Sequence, residues 1–443
     1  MNIFKLIQEI NIFKNNNRLK QNIFSQFINF FVKIIVQLFF PLIMIFYLGT
    51  NDFGVWIILF TIVTTISGFN FNTLEVTKNI MIQLYVEKDK NALNSIYSNS
   101  VVSHFANLLI FILISFSVYY LFDFSSYTST TLTMKSLELC FLFIMLGFLV
   151  ESITYLLYPI FTYSGYTKTW INQQSFFQFH SKLLLVASLL FNDFMYLGIF
   201  YLISNLLRLF LILLFKKNEN TENISFNYTL LNKNTFKQLF VKSLSYSLEK
   251  INYLLKQNGL ILIIGYLFSP ILVTMVSTAR TLFYYLPINF FEVITNPATI
   301  EFGKVNLEDK SQIFDLLRKF TYLSVVVATL YFLGANLLGK AIYDIWINNN
   351  SINLLQSTIF WISLDAVFIG WINLLYAPFK SKNNFLFLSL IDFYFTFISL
   401  LLAVAVSYFL NSLDLLIAII TIFHFIFYIY IKINFKKFIN SLS

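Results

Sequence analysis

The sequence predicts an all-α integral membrane protein with about twelve transmembrane helices. They form two six-helix bundles related by a parallel repeat, with a central cavity between the halves. Three observations predict this. Apolar segments of membrane-spanning length recur along all 443 residues. Cations alternate with the same period. Two polar stripes recur at one offset. A composition of 58% hydrophobic and 12% charged residues excludes an ordinary soluble domain.

A helix needs roughly 20 apolar residues to cross a bilayer. Twelve stretches qualify, roughly 22–48, 53–71, 99–121, 137–161, 173–191, 195–215, 238–267, 270–296, 319–339, 354–377, 383–409 and 411–431. Of the 30 Lys and Arg residues, 21 lie in the N-terminal tail, every second connection and the C-terminal tail. The other connections hold only Lys135 and Lys340. Cations mark the cytoplasmic side, so the number of spans is even and both termini are cytoplasmic. The division follows as a tail over 1–21, a bundle over 22–215, a cytoplasmic linker over 216–237, a second bundle over 238–431 and a tail over 432–443.

In the N-terminal tail, Ile3, Phe4, Ile7, Ile10 and Phe13 fall near one helical face. They suit a short helix on the membrane surface, or equally a frayed tail. Nothing there resembles a cleavable signal.

Span 1 carries Asn22, Gln26, Asn29, Lys33 and Gln37 at steps of three and four, which is one face of a helix. Span 7 carries Lys242, Ser245, Glu249, Asn252 and Lys256 in the same way. An offset of 219 residues lays Lys33 on Asn252 and Gln37 on Lys256. Tyr47-Leu48 falls on Tyr266-Leu267 at that offset. The charged connection Val86-Glu87-Lys88-Asp89-Lys90 matches Asn306-Leu307-Glu308-Asp309-Lys310 at 220. Six spans separate the copies, so both halves run in the same direction, an arrangement that places transporter sites between halves. Polar faces at this depth are costly unless they meet protein or a water-filled cavity. Spans 1 and 7 are therefore expected to line one cavity. The competing reading is interhelical hydrogen bonding, with snorkelling near the ends.

The remaining deep cations are Lys182 in span 5, Arg208 in span 6, Lys250 in span 7 and Arg280 in span 8. Arg208 lies in the cytoplasmic half of its span and is expected to snorkel. Span 8 adds Ser277 to a polar arc around Arg280. Lys33, Lys182, Lys250, Lys256 and Arg280 would make an electropositive lumen for a phosphate or diphosphate. Gln26, Asn29, Gln37, Ser245, Asn252 and Ser277 would supply its polar lining. Internal carboxylates offer the alternative of a structural ion-pair network: Glu151, Glu249, Glu292, Asp365 and Asp392. Glu249 is expected to pair with Lys250 or Lys256. Glu151, Glu249 and Asp365 are candidates for proton coupling, and His424 is expected to be a hydrogen-bonded structural residue.

No Gly-rich phosphate loop and no metal-ligand spacing occurs, and no catalytic residues are assigned. The outward connections are too short to house polymerase or ligase chemistry. No cofactor or metal is expected. The net charge of +9 follows the positive-inside bias, so no nucleic-acid partner is expected either. The single Cys140 can form no internal disulfide.

Several stretches carry a family resemblance: Tyr47-Leu48-Gly49-Thr50-Asn51-Asp52-Phe53-Gly54-Val55-Trp56, Gln83 to Lys90, Tyr158-Pro159 through Gly165-Tyr166, and Ile264-Gly265-Tyr266-Leu267 with Ser277-Thr278-Ala279-Arg280. Asn296-Pro297 and Ile345-Trp346-Ile347 also fit. In these the chain resembles the Wzx-type polysaccharide flippases. Their superfamily also holds the multidrug/toxin exporters and the lipid-linked peptidoglycan precursor flippases. The chain departs from the flippase pattern at Gly68-Phe69-Asn70-Phe71-Asn72-Thr73, where a Gly-rich, Asp-containing end of span 2 is usual. It has Lys33 where many multidrug exporters carry an acidic coupling residue. The resemblance implies transport of undecaprenyl-diphosphate-linked oligosaccharide to the outer leaflet of a bacterial inner membrane. Other polysaccharide-assembly membrane proteins are its candidate partners. A multidrug or organic-cation exporter of the same fold is the alternative, with a membrane-embedded polymerase behind it.

Overall fold

The computed structural model describes residues 17–440 apart from 69–72, 88, 130, 164–166, 192, 219–223, 306–309, 350–351 and 383. The surface-helix reading of residues 3–13 and the second copy of the charged connection lie outside the described residues. The elements are α1 (Asn17–Gly68), α2 (Thr73–Glu87), α3 (Lys90–Leu121), α4 (Met134–Tyr155), α5 (Tyr158–Tyr163), α6 (Thr167–Ala187) and α7 (Met195–Asn218). They continue with α8 (Lys233–Leu267), α9 (Pro270–Arg280), α10 (Leu286–Lys304), α11 (Lys310–Ile347), α12 (Gln356–Ser381), α13 (Leu386–Leu410) and α14 (Leu413–Asn440). No strand occurs among the described residues. The protein is an all-α integral membrane protein.

Nine described helical stretches are long and apolar enough to cross a membrane. The first of them, Ile28–Gly68, is broken at Gly49, whose φ of 78° only glycine adopts readily. That break separates the first and second spans of the sequence. Helices α6 and α8, which the sequence reads as spans 5 and 7, are not among the nine. Each carries a row of polar side chains that dilutes its hydropathy.

Local chemistry sets the helix ends. The Asp89 carboxylate accepts from the Ala92 N–H at 2.9 Å to start α3, and Thr133 accepts from Ser136 at the start of α4. Ser269 caps α9, with Pro270 in its first turn. Asn411 closes α13 in a left-handed conformation. Between α9 and α10 the chain passes through a π-helical turn, Thr281–Tyr285. Such a turn disturbs the backbone ladder. Here the Phe283 carbonyl accepts the Tyr331 hydroxyl at 2.6 Å.

Two compact units account for the fold. One comprises 1–43 with 66–247, the other 44–65 with 248–443. Residues 44–65, assigned from sequence to the N-terminal bundle, thus pack with the C-terminal half. The contacts show why. The Thr274 hydroxyl donates to the Thr50 carbonyl at 2.7 Å, and the Asn258 amide donates to Thr64 and Thr65 at 3.1 and 3.0 Å. At Gly54 a Cβ would stand 1.9 Å from the Pro270 carbonyl oxygen, so the backbones meet where only glycine fits.

Candidate functional site

The second unit holds a cavity of about 240 Å³. Its wall includes Glu249, Asn252, Tyr253, Lys256 and Gln257 from α8, with Tyr284, Glu292, Asn373, Tyr376, Lys380 and Asp392. The helical spacing of the α8 stripe brings Glu249, Asn252 and Lys256 to one wall. The π-helical turn supplies Tyr284, and the last turns of α12 supply Asn373, Tyr376 and Lys380.

Two ion pairs stand in that wall. The Lys256 ammonium lies 2.7 Å from Asp392 Oδ1 and donates to Oδ2 at 2.8 Å, with both side chains 9% exposed. Lys380 pairs with Glu249. Glu249 was expected to pair with Lys250 or Lys256. Lys256 is engaged instead by Asp392 on α13. Asn252 donates to the Ser389 carbonyl at 2.8 Å while its own Oδ1 has no hydrogen-bond partner. The Tyr376 hydroxyl donates to the Leu388 carbonyl at 2.9 Å.

Arg280 is 2% exposed. Its guanidinium donates to the Gln257 carbonyl, and to the Lys256 carbonyl at 3.1 Å. The guanidinium carbon lies 4.5 Å from the Tyr284 ring centroid and 5.2 Å from that of Tyr285. Carbonyls rather than a carboxylate thus hold this charge behind the wall. Asp365 is near enough to Arg280 and Tyr284 to interact electrostatically with both. Its Oδ1 is bonded to His424 Nδ1.

The other sequence candidates fall elsewhere. Lys250, Ser245 and Ser277 are half-buried and do not line this cavity. Lys33, Asn29, Gln37 and Lys182 belong to the first unit. There the Lys182 ammonium stands 4.3 Å from the Phe40 ring centroid. Asn29 Oδ1 and Gln37 Oε1 are buried without a hydrogen-bond partner. The Gln26 side chain lies outside the described ones.

Arg208 does not snorkel. It is 3% exposed, and its Nη1 donates to Glu151 Oε1 at 3.0 Å, while the Tyr201 hydroxyl donates to Oε2 at 3.2 Å. A carboxylate one helix away gives the guanidinium a partner inside, so it need not reach for the headgroups. The sequence reading did not place Lys380, Tyr253, Tyr376 or Asn373 in a site. Lys380 reads as a positive-inside cation, and tyrosines in so aromatic a chain carry no signal of their own.

No protein-family model matches the chain, and neither does any curated protein sequence. Solved structures match it by fold. A multidrug resistance MATE family transporter of the MOP superfamily, in its inward-facing conformation, aligns over 96% of this chain and 98% of its own, with a TM-score of 0.62 and 12% identity. An outward-facing structure of such a transporter aligns over 96% of both chains, with a TM-score of 0.60 and 12% identity. A MOP superfamily transporter from Pyrococcus furiosus Vc1, described as having a binding pocket of reverse polarity that suggests a different function, aligns over 96% of both chains at TM-score 0.58 and 12% identity. At such identities the likeness is one of fold.

Proposed function

We propose that the chain is a multi-pass transporter that moves a lipid-linked oligosaccharide from the cytoplasmic to the outer leaflet of a bacterial inner membrane by alternating access. Both termini then lie in the cytoplasm, and other polysaccharide-assembly membrane proteins are its partners. The observation that carries this reading is the make-up of the second unit's cavity. Tyr253, Tyr284 and Tyr376 line it together with the amides of Asn252, Gln257 and Asn373. A sugar offers hydroxyls that both donate and accept, and apolar ring faces that pack on aromatic side chains. Amides and tyrosines answer both needs.

The ion pairs fit the same reading. Lys256 and Lys380 are matched by Asp392 and Glu249, so this wall presents hydrogen-bonding groups rather than a large net charge of either sign. Arg280 adds positive charge behind it, which favours a diphosphate nearby. Asp365, bonded to His424, is the proposed proton-coupling carboxylate. Glu151 and Glu249 are each tied to a cation.

A multidrug or organic-cation exporter is the second reading. The exposed Glu292 carboxylate in the cavity wall favours it, as do the multidrug transporters among the structures of similar fold. Expression in a bacterium lacking its own polysaccharide flippase separates the two. Surface glycan restored by the wild type and lost in a well-expressed Tyr376→Ala/Asn373→Ala variant supports the flippase. Resistance to cationic dyes without restored glycan, abolished by Glu292→Gln, supports the exporter.

A further inference from the structure

The first unit contains a second cavity, of about 450 Å³, between α6 and α7. Its polar wall comprises Thr169, Asn172, Gln173, His180 and Arg208, and its apolar wall includes Phe176, Phe177 and Ile212. Two of these side chains, Arg208 and Gln173, keep polar atoms that the protein does not satisfy. Arg208 spends Nη1 on Glu151, but its Nε and Nη2 have no hydrogen-bond partner. Both amide atoms of Gln173 are buried without one. Buried polar atoms left unmet are costly, so a cluster of them around a cavity calls for a ligand. Packing holds the cluster in place: Phe177 lies 4.3 Å from the guanidinium carbon, and the Phe176 ring stacks on His180 at 5.2 Å.

The chemistry of the ligand follows from the atoms left over. N–H donors outnumber acceptors, and the open edge of Arg208 is a planar fork, the geometry that grips two oxygens of a phosphate. Glu151 neutralises the guanidinium overall, which favours a singly charged phosphodiester over a dianion. Apart from Thr169, Asn172 and His180, the rest of the lining is apolar and aromatic. At its rim Phe176 and Phe215 are exposed, and α7 continues the apolar surface with Leu207, Phe210 and Leu214. Arg208 lies eight residues before Lys216, about 12 Å inside the charged end of α7. A free ion would have to leave water to reach it. A lipid already in the leaflet carries its phosphate there along its own tail.

We propose that the α6–α7 cavity is a binding site for a phosphodiester membrane lipid of the leaflet on the Lys216 side, its phosphate held by Arg208 and Gln173 and its chains by the aromatic wall. This does not depend on which solute the second unit's cavity receives.

Native mass spectrometry of the full chain from detergent micelles, titrated with phosphatidylglycerol, tests it. One molecule should be retained per chain, and Gln173→Leu, which leaves the Arg208–Glu151 pair intact, should weaken retention about tenfold. Ile212→Trp, which fills the cavity, should abolish it. Diacylglycerol, with the same chains and no phosphate, and inorganic phosphate, with no chains, should each compete poorly. Equal retention by wild type and both variants overturns the proposal. So does diacylglycerol binding as tightly as phosphatidylglycerol. Displacement of the lipid by millimolar inorganic phosphate would assign the site to the free ion instead, and the lipid assignment would be lost.

Discussion

The Lys256–Asp392 pair is the point at which a structural role and a transport role can be told apart. Two unit charges 2.7 Å apart attract by about 6 kcal/mol at an effective dielectric of 20. Desolvation of two side chains this buried offsets most of that, so the intact pair contributes little net stability. Removing one partner is different, because the other charge is left buried alone at a cost of about 3–5 kcal/mol. Lys256→Met and Asp392→Asn should each therefore destabilise the protein by about that amount. The double variant should recover to within about 1 kcal/mol of wild type. Thermal unfolding of purified protein, followed by an environment-sensitive thiol dye at Cys140, which is buried in the fold, reads this cycle. Transport should not recover in the double variant, because Lys256 and Asp392 also line the cavity. Single and double variants with the same stability loss would refute the coupling. Full transport in the double variant would reduce the pair to scaffolding.

Other consequences are simpler to state. Gly54→Val forces a side chain into the Pro270 carbonyl and should lower stability by at least 1–3 kcal/mol, the usual cost of overpacking, measured by thermal unfolding. Arg280→Lys keeps the charge but cannot span the carbonyls of both Gln257 and Lys256; about 2 kcal/mol should be lost in the same assay. Glu151→Gln should cost about 3 kcal/mol by leaving Arg208 unpaired, and Glu151→Gln/Arg208→Gln should restore part of it. His424→Phe leaves the buried Asp365 carboxylate without its imidazole partner and should cost about 1–3 kcal/mol in thermal unfolding, with loss of proton-coupled transport.

Much of this was readable from the sequence, for physical reasons. Lipid requires closed backbone hydrogen bonding, so long apolar stretches could only be helices. The alternation of cations then leads to the expected number and direction of crossings. Polar residues spaced three and four apart mark a helix face, and the α8 stripe does place Glu249, Asn252 and Lys256 in one cavity wall. Partner identity was not legible. Lys256 meets Asp392 and Arg208 meets Glu151 across 136 and 57 residues, and no local pattern encodes such distances. The assignment of 44–65 to the second unit was equally hidden. It depends on a glycine, Gly54, that fits against Pro270 only once both helices are in place. Lys380 misled for a further reason, since a lysine at a helix end obeys the positive-inside rule and can still turn inward to a carboxylate.

The most direct test of the proposed function is a reconstituted assay. Protein in proteoliposomes is supplied with a polyprenyl-diphosphate-linked oligosaccharide on one leaflet, and its appearance on the other is read by a membrane-impermeant glycosidase. The account predicts transfer well above protein-free vesicles, abolished in Tyr376→Ala/Asn373→Ala and undiminished by an excess of organic cations. Transfer no faster than in empty vesicles, with organic cations carried by the same preparation, would contradict it and leave the cation exporter as the reading.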